Sequence, residues 1–219
     1  MSPPALHVPP DAVLQALDYG SVIVFALTGA LVASRAQLDV VGFIFIACLT
    51  AVGGGTLRDV MLDREVFWIG DPLVLAFAAL SAILVFFGAH RLESRYRVLL
   101  WLDACALAIA VPAGVAAAGA MGMAWPVVLV MGMATGCMGG LMRDVVCNEV
   151  PLVLKQGELY VTAAFAGTVA AVLTGVLGGS SDLGLLACAM ATFALRAGSI
   201  SFGWRLPVYK PRPPQVPKR

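Results

Sequence analysis

Seven stretches of the chain are apolar for long enough to cross a bilayer, and polar residues collect almost only between them. A hydrocarbon core of about 30 Å needs about 20 apolar residues wound as a helix. The runs that qualify are 12–33, 40–62, 72–89, 98–118, 125–146, 159–177 and 183–200. The clusters Ser34-Arg35-Ala36-Gln37, His90 to Arg97 and Gly178 to Asp182 separate them and predict short loops. The pattern predicts an all-α polytopic membrane protein of seven transmembrane helices packed as one bundle.

The runs are related to one another. Arg143 minus Arg58 is 85, Asp103 minus Asp18 is 85, and Gly114 minus Gly29 is 85, so a single shift aligns three separate features. One repeat holds three spans, an odd number, so its second copy enters the membrane from the opposite side. The expected architecture is two inverted three-helix repeats, 12–89 and 98–177, plus a seventh helix at 183–200. A tail at 1–11 precedes them and a basic, proline-rich tail at 201–219 follows.

Each repeat carries a glycine cluster late in its second span. Gly53-Gly54-Gly55-Thr56-Leu57-Arg58-Asp59 recurs as Met138-Gly139-Gly140-Leu141-Met142-Arg143-Asp144. Adjacent glycines weaken a helix, and lipid offers no replacement hydrogen bonds, so a break there is tolerated only against protein or a water-filled path. The second and fifth helices are therefore expected to be kinked, with an unwound turn whose carbonyls face a polar pathway. Packing alone is the competing reading, and it suits Gly132-x-x-x-Gly136 in the fifth span. Consecutive glycines followed by an Arg-Asp pair exceed what packing requires and favour the pathway.

Charge inside a bilayer is expensive and marks function by default. Asp18 and Asp103 are repeat mates near opposite membrane faces, placed either to cap or pair locally or to line a vestibule that concentrates cations. Arg58 and Arg143 oppose a cation path unless acids hold them. The partners to test are Asp18, Asp103, Asp59 and Asp144, and breaking such a pair is a candidate gate.

Composition agrees: 60% hydrophobic and 12% charged residues with a mean hydropathy of +0.92, against roughly 25% charged in soluble domains. Orientation follows from the basic residues. Arg58 and Arg64 fall on the side of the N-terminus, while the other 12 of the 14, Arg196 among them, fall on the far side. Without the tail and the motif arginines, Arg35, Arg91, Arg95, Arg97 and Lys155 still oppose Arg64 alone. The N-terminus is expected outside and the C-terminus in the cytoplasm. Residues 1–11 hold four prolines and no basic region, so the first run is expected to be a retained span.

Enzymatic chemistry has no support. The two histidines, His7 and His90, lie in a tail and a loop, and the five cysteines at 48, 105, 137, 147 and 188 show no CxxC spacing and read as small buried hydrophobes. The triple glycine follows an apolar helix and lacks a P-loop lysine. No catalytic residue, resident metal, cofactor or nucleic-acid partner is expected; potassium or sodium enters only as a permeant ion.

Three spans plus three plus one, the two glycine motifs, and Val150-Pro151-Leu152-Val153-Leu154 ahead of Glu158-Leu159-Tyr160 together resemble the prokaryotic members of the trimeric intracellular cation channel (TRIC) family over about residues 12–200. The resemblance implies a homotrimer in a prokaryotic inner membrane, each protomer with its own hourglass pore lined by the kinked second and fifth helices and passing monovalent cations, chiefly potassium. Gly53, Gly54 and Gly55 match the first kink and Gly139 and Gly140 the second, where Met138 departs from a full triple glycine. The basic lipid-binding segment of the animal relatives' fourth helix has no match in Trp101-Leu102-Asp103-Ala104-Cys105. Similar prokaryotic sequences have been labelled glycine transporters, so a secondary transporter of a small solute such as glycine is the alternative. A scaffold protein would leave the duplicated charges unexplained.

Overall fold

Helices account for the regular structure among residues 11–91, 94–155 and 158–207, which the computed structural model describes. The tails at 1–10 and 208–219, and the expectations attached to them, lie outside that range. In chain order the helices are α1 (Asp11–Arg35), α2 (Val40–Met61), α3 (Phe67–Gly70), α4 (Leu73–Gly88), α5 (Arg95–Ala120), α6 (Trp125–Val146), α7 (Tyr160–Val176) and α8 (Ser181–Phe202).

Their ends follow local chemistry. The side chains of Asp39, Ser94 and Ser180 accept from the backbone N–H of Gly42, Arg97 and Leu183, satisfying donors that open helix ends leave bare. Pro126 sits in the first turn of α6, where a missing N–H costs nothing. Gly203 closes α8 at φ 67°, a left-handed conformation that glycine adopts freely. Hydroxyls inside the apolar helices bond back to carbonyls one turn earlier, as Thr50 Oγ1 does to Ile46 and Thr135 Oγ1 to Met131.

Six helices, α1, α2, α4 (extended to Arg91), α5, α6 and α8, are long and apolar enough to span a membrane. The sixth expected span, 159–177, corresponds to α7, which is apolar but 17 residues long, roughly 26 Å of rise. The short α3 was not expected; it occupies part of the link between the second and third expected spans.

α1 packs on α2, α4 and α5, and α5 in turn on α6, α7 and α8, while α2 crosses α6. The segment Val111–Gly119 of α5 is buried on every side, as a helix apolar all round should be. Large apolar side chains such as Val41, Phe87 and Leu177 point outward instead, an arrangement suited to lipid.

The offset of 85 reappears in detail. Positive φ occurs at Gln37 and Gly122 and again at Asp63 and Asn148. Gly29 lies against Ala47 and Thr50 of α2, and its mate Gly114 against Gly132 and Thr135 of α6. At the α2–α6 crossing the contact is reciprocal: Gly54 abuts the Thr135 carbonyl, and Gly139 abuts the Thr50 carbonyl. Residue numbers rise along one helix as they fall along the other, so α2 and α6 cross antiparallel.

The expected unwound turns are corrected. α2 runs as helix through Gly53, Gly54 and Gly55, and α6 through Gly139 and Gly140. The helical hydrogen bonds stay, and the missing side chains serve close approach: a Cβ at Gly139 would stand 2.5 Å from the Thr50 oxygen, and one at Gly54 closer still to that of Thr135. Gly132 and Gly136 also pack, the first on Thr168 and Val115, the second on Val111 and Leu107.

Candidate functional site

Both motif arginines are wholly buried, and each is held by two carboxylates. Arg58 Nη1 and Nη2 donate to Asp18 Oδ1 and Oδ2 at 2.7 and 3.1 Å, while Nε and Nη2 donate to Asp59 Oδ1 and Oδ2 at 2.8 and 3.1 Å. Arg143 Nη1 donates to Asp103 Oδ1 at 3.0 Å and its Nε to Asp144 Oδ1 at 2.7 Å. The choice that sequence left open between the distant and the adjacent acid resolves as both. Each centre sets one guanidinium against two carboxylates, a formal excess of one negative charge.

The adjacent acids also fix the following loops. Asp59 Oδ2 accepts from the Phe67 N–H at 3.1 Å, and Asp144 Oδ2 from the Leu152 N–H at 2.9 Å. Each Arg-Asp pair thus ties the end of its helix to a remote helix and to its own return segment. Replacing Asp59 by Asn should keep the neutral amide's acceptor oxygen but remove half of the neutralising charge. We expect a loss of about 1–3 kcal/mol, read as a lower midpoint in thermal unfolding in detergent, and a smaller loss for Asp71→Asn, whose carboxylate is near the surface.

The two centres differ in surroundings. The Phe67 ring lies over the Arg58 guanidinium, with the carbon at its centre 5.6 Å from the ring centroid. Beside it a cavity of about 360 Å³ is lined by Leu14, Gln15, Asp18, Tyr19, Arg64 and Phe67 with Asp71 and Val74. Tyr19 donates its hydroxyl to Asp71. Asp18 therefore borders a concavity with charged walls. A second, much smaller pocket shares Asp18 and Phe67 with it and is also lined by Ser21, Gly54 and Thr135.

Around Arg143 the packing is closed. Asp103 is fully buried, and Tyr160, the first residue of α7, brings its hydroxyl to the site of Gly140 together with Asp103 Oδ1 and Arg143 Nη2. A third buried arginine stands behind Tyr160. Arg196 of α8, placed by the sequence reading with the cytoplasmic basic residues, is instead inside the bundle, 5.2 Å over the Tyr160 ring and 2.5 Å from Glu158 Oε2. It belongs to α8, outside both repeats, so no duplicate drew attention to it; one charge within the 183–200 run was the available signal.

The cysteines are free in the structure, with Cys137 and Cys188 buried. Cys147, just beyond α6, is partly covered, and that burial pushes its thiol up from the ordinary range. Among the described residues no group of three His, Cys, Asp or Glu side chains is placed to hold a metal ion.

A family model described as "Glycine transporter" matches residues 15–90 and 100–176. The chain is 34% identical over 203 residues to a Vibrio cholerae UPF0126 membrane protein, covering 90% of this chain and 83% of that one. It is 38% identical over 154 residues to the Escherichia coli UPF0126 inner membrane protein YadS, covering 69% and 73%. Among solved structures, the TRIC trimeric intracellular cation channel orthologue from Rhodobacter sphaeroides superposes with a TM-score of 0.84 at 39% identity, over 88% of this chain and 99% of that one.

Proposed function

Because this chain belongs to the family described as "Glycine transporter" and is a prokaryotic member of the TRIC family, we propose that it is a channel for monovalent cations, chiefly potassium, in a bacterial inner membrane. In this reading the protein is a homotrimer with one hourglass pore per protomer. Gly53, Gly54 and Gly139 bring α2 and α6 together at the waist, with Gly55 against Phe67 and Gly140 against Tyr160 beside it. Seven spans form two inverted repeats, 12–89 and 98–177, with the seventh at 183–200.

The observation that carries the reading is the charge balance of the two buried centres. A lone guanidinium beside a path would repel a cation; Arg58 with Asp18 and Asp59, and Arg143 with Asp103 and Asp144, each present a formal excess of negative charge. Such a centre attracts cations while the arginine holds the acids apart. The pairs serve in this proposal as positioning and gating elements, and the cavity beside Asp18 as the outer mouth.

Single-channel recording from purified protein in planar bilayers tests it. In a potassium chloride gradient we expect unitary steps that reverse toward the potassium equilibrium potential. A chloride-directed reversal refutes the cation reading. The family's description as a glycine transporter favours the alternative, a secondary transporter of glycine or a similar solute; saturable glycine uptake by vesicles without unitary current would establish it instead.

The basic asymmetry puts the N-terminus outside and the C-terminus in the cytoplasm. A cysteine introduced at Ser2 should react with an impermeant thiol reagent in intact cells, whereas one at Lys218 should react only after lysis. The reverse pattern would invert both mouths.

A further inference from the structure

Four side chains at and behind the second glycine cluster are buried with polar atoms that make no close hydrogen bond: Asp103 Oδ2, Arg143 Nη2, the Tyr160 hydroxyl, and Nε, Nη1 and Nη2 of Arg196. Arg196 is ion-paired to Glu158, but not in hydrogen-bonding geometry. Among the described residues nothing comparable surrounds Arg58, whose guanidinium makes four hydrogen bonds to its two acids. Leaving a buried donor unsatisfied forfeits its hydration without return, so a cluster of them raises the free energy of the packed state relative to a hydrated one.

The cluster is also where the bundle is sealed. Tyr160 inserts at the N-terminal end of α7, its hydroxyl beside Gly140 and its ring under Arg196. Arg143 and Asp103 are wholly covered there, whereas Asp18 opens on the cavity of about 360 Å³.

We propose that Tyr160, backed by Arg196, is the inner gate of the ion path: in the sealed state its ring plugs the Asp103–Arg143 centre, and withdrawal of the start of α7 lets water reach the unsatisfied donors. The inference rests on the channel reading. It assigns the gate to the α7–α8 layer, which the glycine motifs do not include. The cost of the unsatisfied groups and the packing of the ring oppose one another, so a change at either shifts the seal.

Opposite substitutions at one residue separate gating from architecture. Tyr160→Phe keeps the plug and removes an unsatisfied hydroxyl, so it should stabilise the sealed state and lower the open probability several-fold in bilayer recordings. Tyr160→Ala removes the plug and should raise open probability by roughly tenfold or more. A second readout uses Cys137, buried on the Gly140 face of α6 and packed in the same cluster as Tyr160. With the other four cysteines replaced by alanine, Cys137 should react more slowly with a charged thiol reagent in Tyr160→Phe and faster in Tyr160→Ala. Should Tyr160→Ala fail to fold, Tyr160→Phe decides. Folded variants that leave both open probability and Cys137 reactivity unchanged, or shift them in the same direction, overturn the gate. Absence of unitary current in the unaltered protein would overturn the channel reading, while opposed Cys137 rates would still report a mobile seal.

Discussion

Gly54→Ala and Gly139→Ala should each prevent normal folding of the bundle, lowering the yield of detergent-solubilised protein and the midpoint of its thermal unfolding. At Gly54 the added methyl would enter the space of the Thr135 carbonyl, and at Gly139 it would stand 2.5 Å from that of Thr50. Backbone oxygens within a helix cannot swing aside, so α2 and α6 must separate along their crossing. Overpacking a core costs about 1–3 kcal/mol when side chains can adjust, and a rigid neighbour places these two substitutions at or above the upper end. Gly53 supplies the control. Its nearest neighbour is the Met142 sulfur at 2.7 Å, part of a flexible side chain that can rotate away. Gly53→Ala should therefore be tolerated, and Gly55→Ala, facing the Phe67 ring at 2.6 Å, should fall between. Equal damage from Gly53→Ala and Gly54→Ala would show that the crossing does not depend on these contacts.

The second large effect concerns Arg143. Arg143→Gln leaves Asp103 and Asp144 buried without their cation, and breaking a buried pair in this way costs about 3–5 kcal/mol. Asp103→Asn should cost less, because Asp144 still holds the guanidinium at 2.7 Å. Combining the two should restore part of the loss, with a coupling of about 0.5–3 kcal/mol in unfolding measurements. Arg143→Gln with Asp18→Asn should be additive, since Asp18 bonds to Arg58 and not to Arg143. Coupling between Arg143 and Asp18, or additivity between Arg143 and Asp103, would contradict the arrangement. The same four proteins in bilayers would report whether the centres govern current beyond stability.

Much of this arrangement was legible in the sequence because the repeat states each feature twice. An acid and an arginine shifted by one constant offset mark a contact that exists in both halves, and the structure has both Asp18–Arg58 and Asp103–Arg143. Helix boundaries were legible for a related reason: Val40–Met61 and Trp125–Val146 end where polar residues return. The state of the glycines was not. Adjacent glycines weaken a helix and also permit close crossing, and only the neighbour across the interface, the Thr135 or Thr50 carbonyl, tells the two apart. Tyr160 and Arg196 escaped notice because neither has a chemically similar residue 85 positions earlier, and an aromatic ring beneath a guanidinium depends on how α7 and α8 fold back over the second repeat.

The exchange of carbonyls at the α2–α6 crossing makes that interface isologous in the sense used for symmetric dimers: each partner offers the other the surface it receives. Two separate copies of a single half would find the same match in one another, with glycine meeting threonine on both sides of the axis. The crossing therefore contains a homodimer's logic within one polypeptide. Held in tandem, the two halves need not remain equal in sequence: one end of the crossing has the cavity beside Asp18, and the other has Tyr160 packed at Gly140.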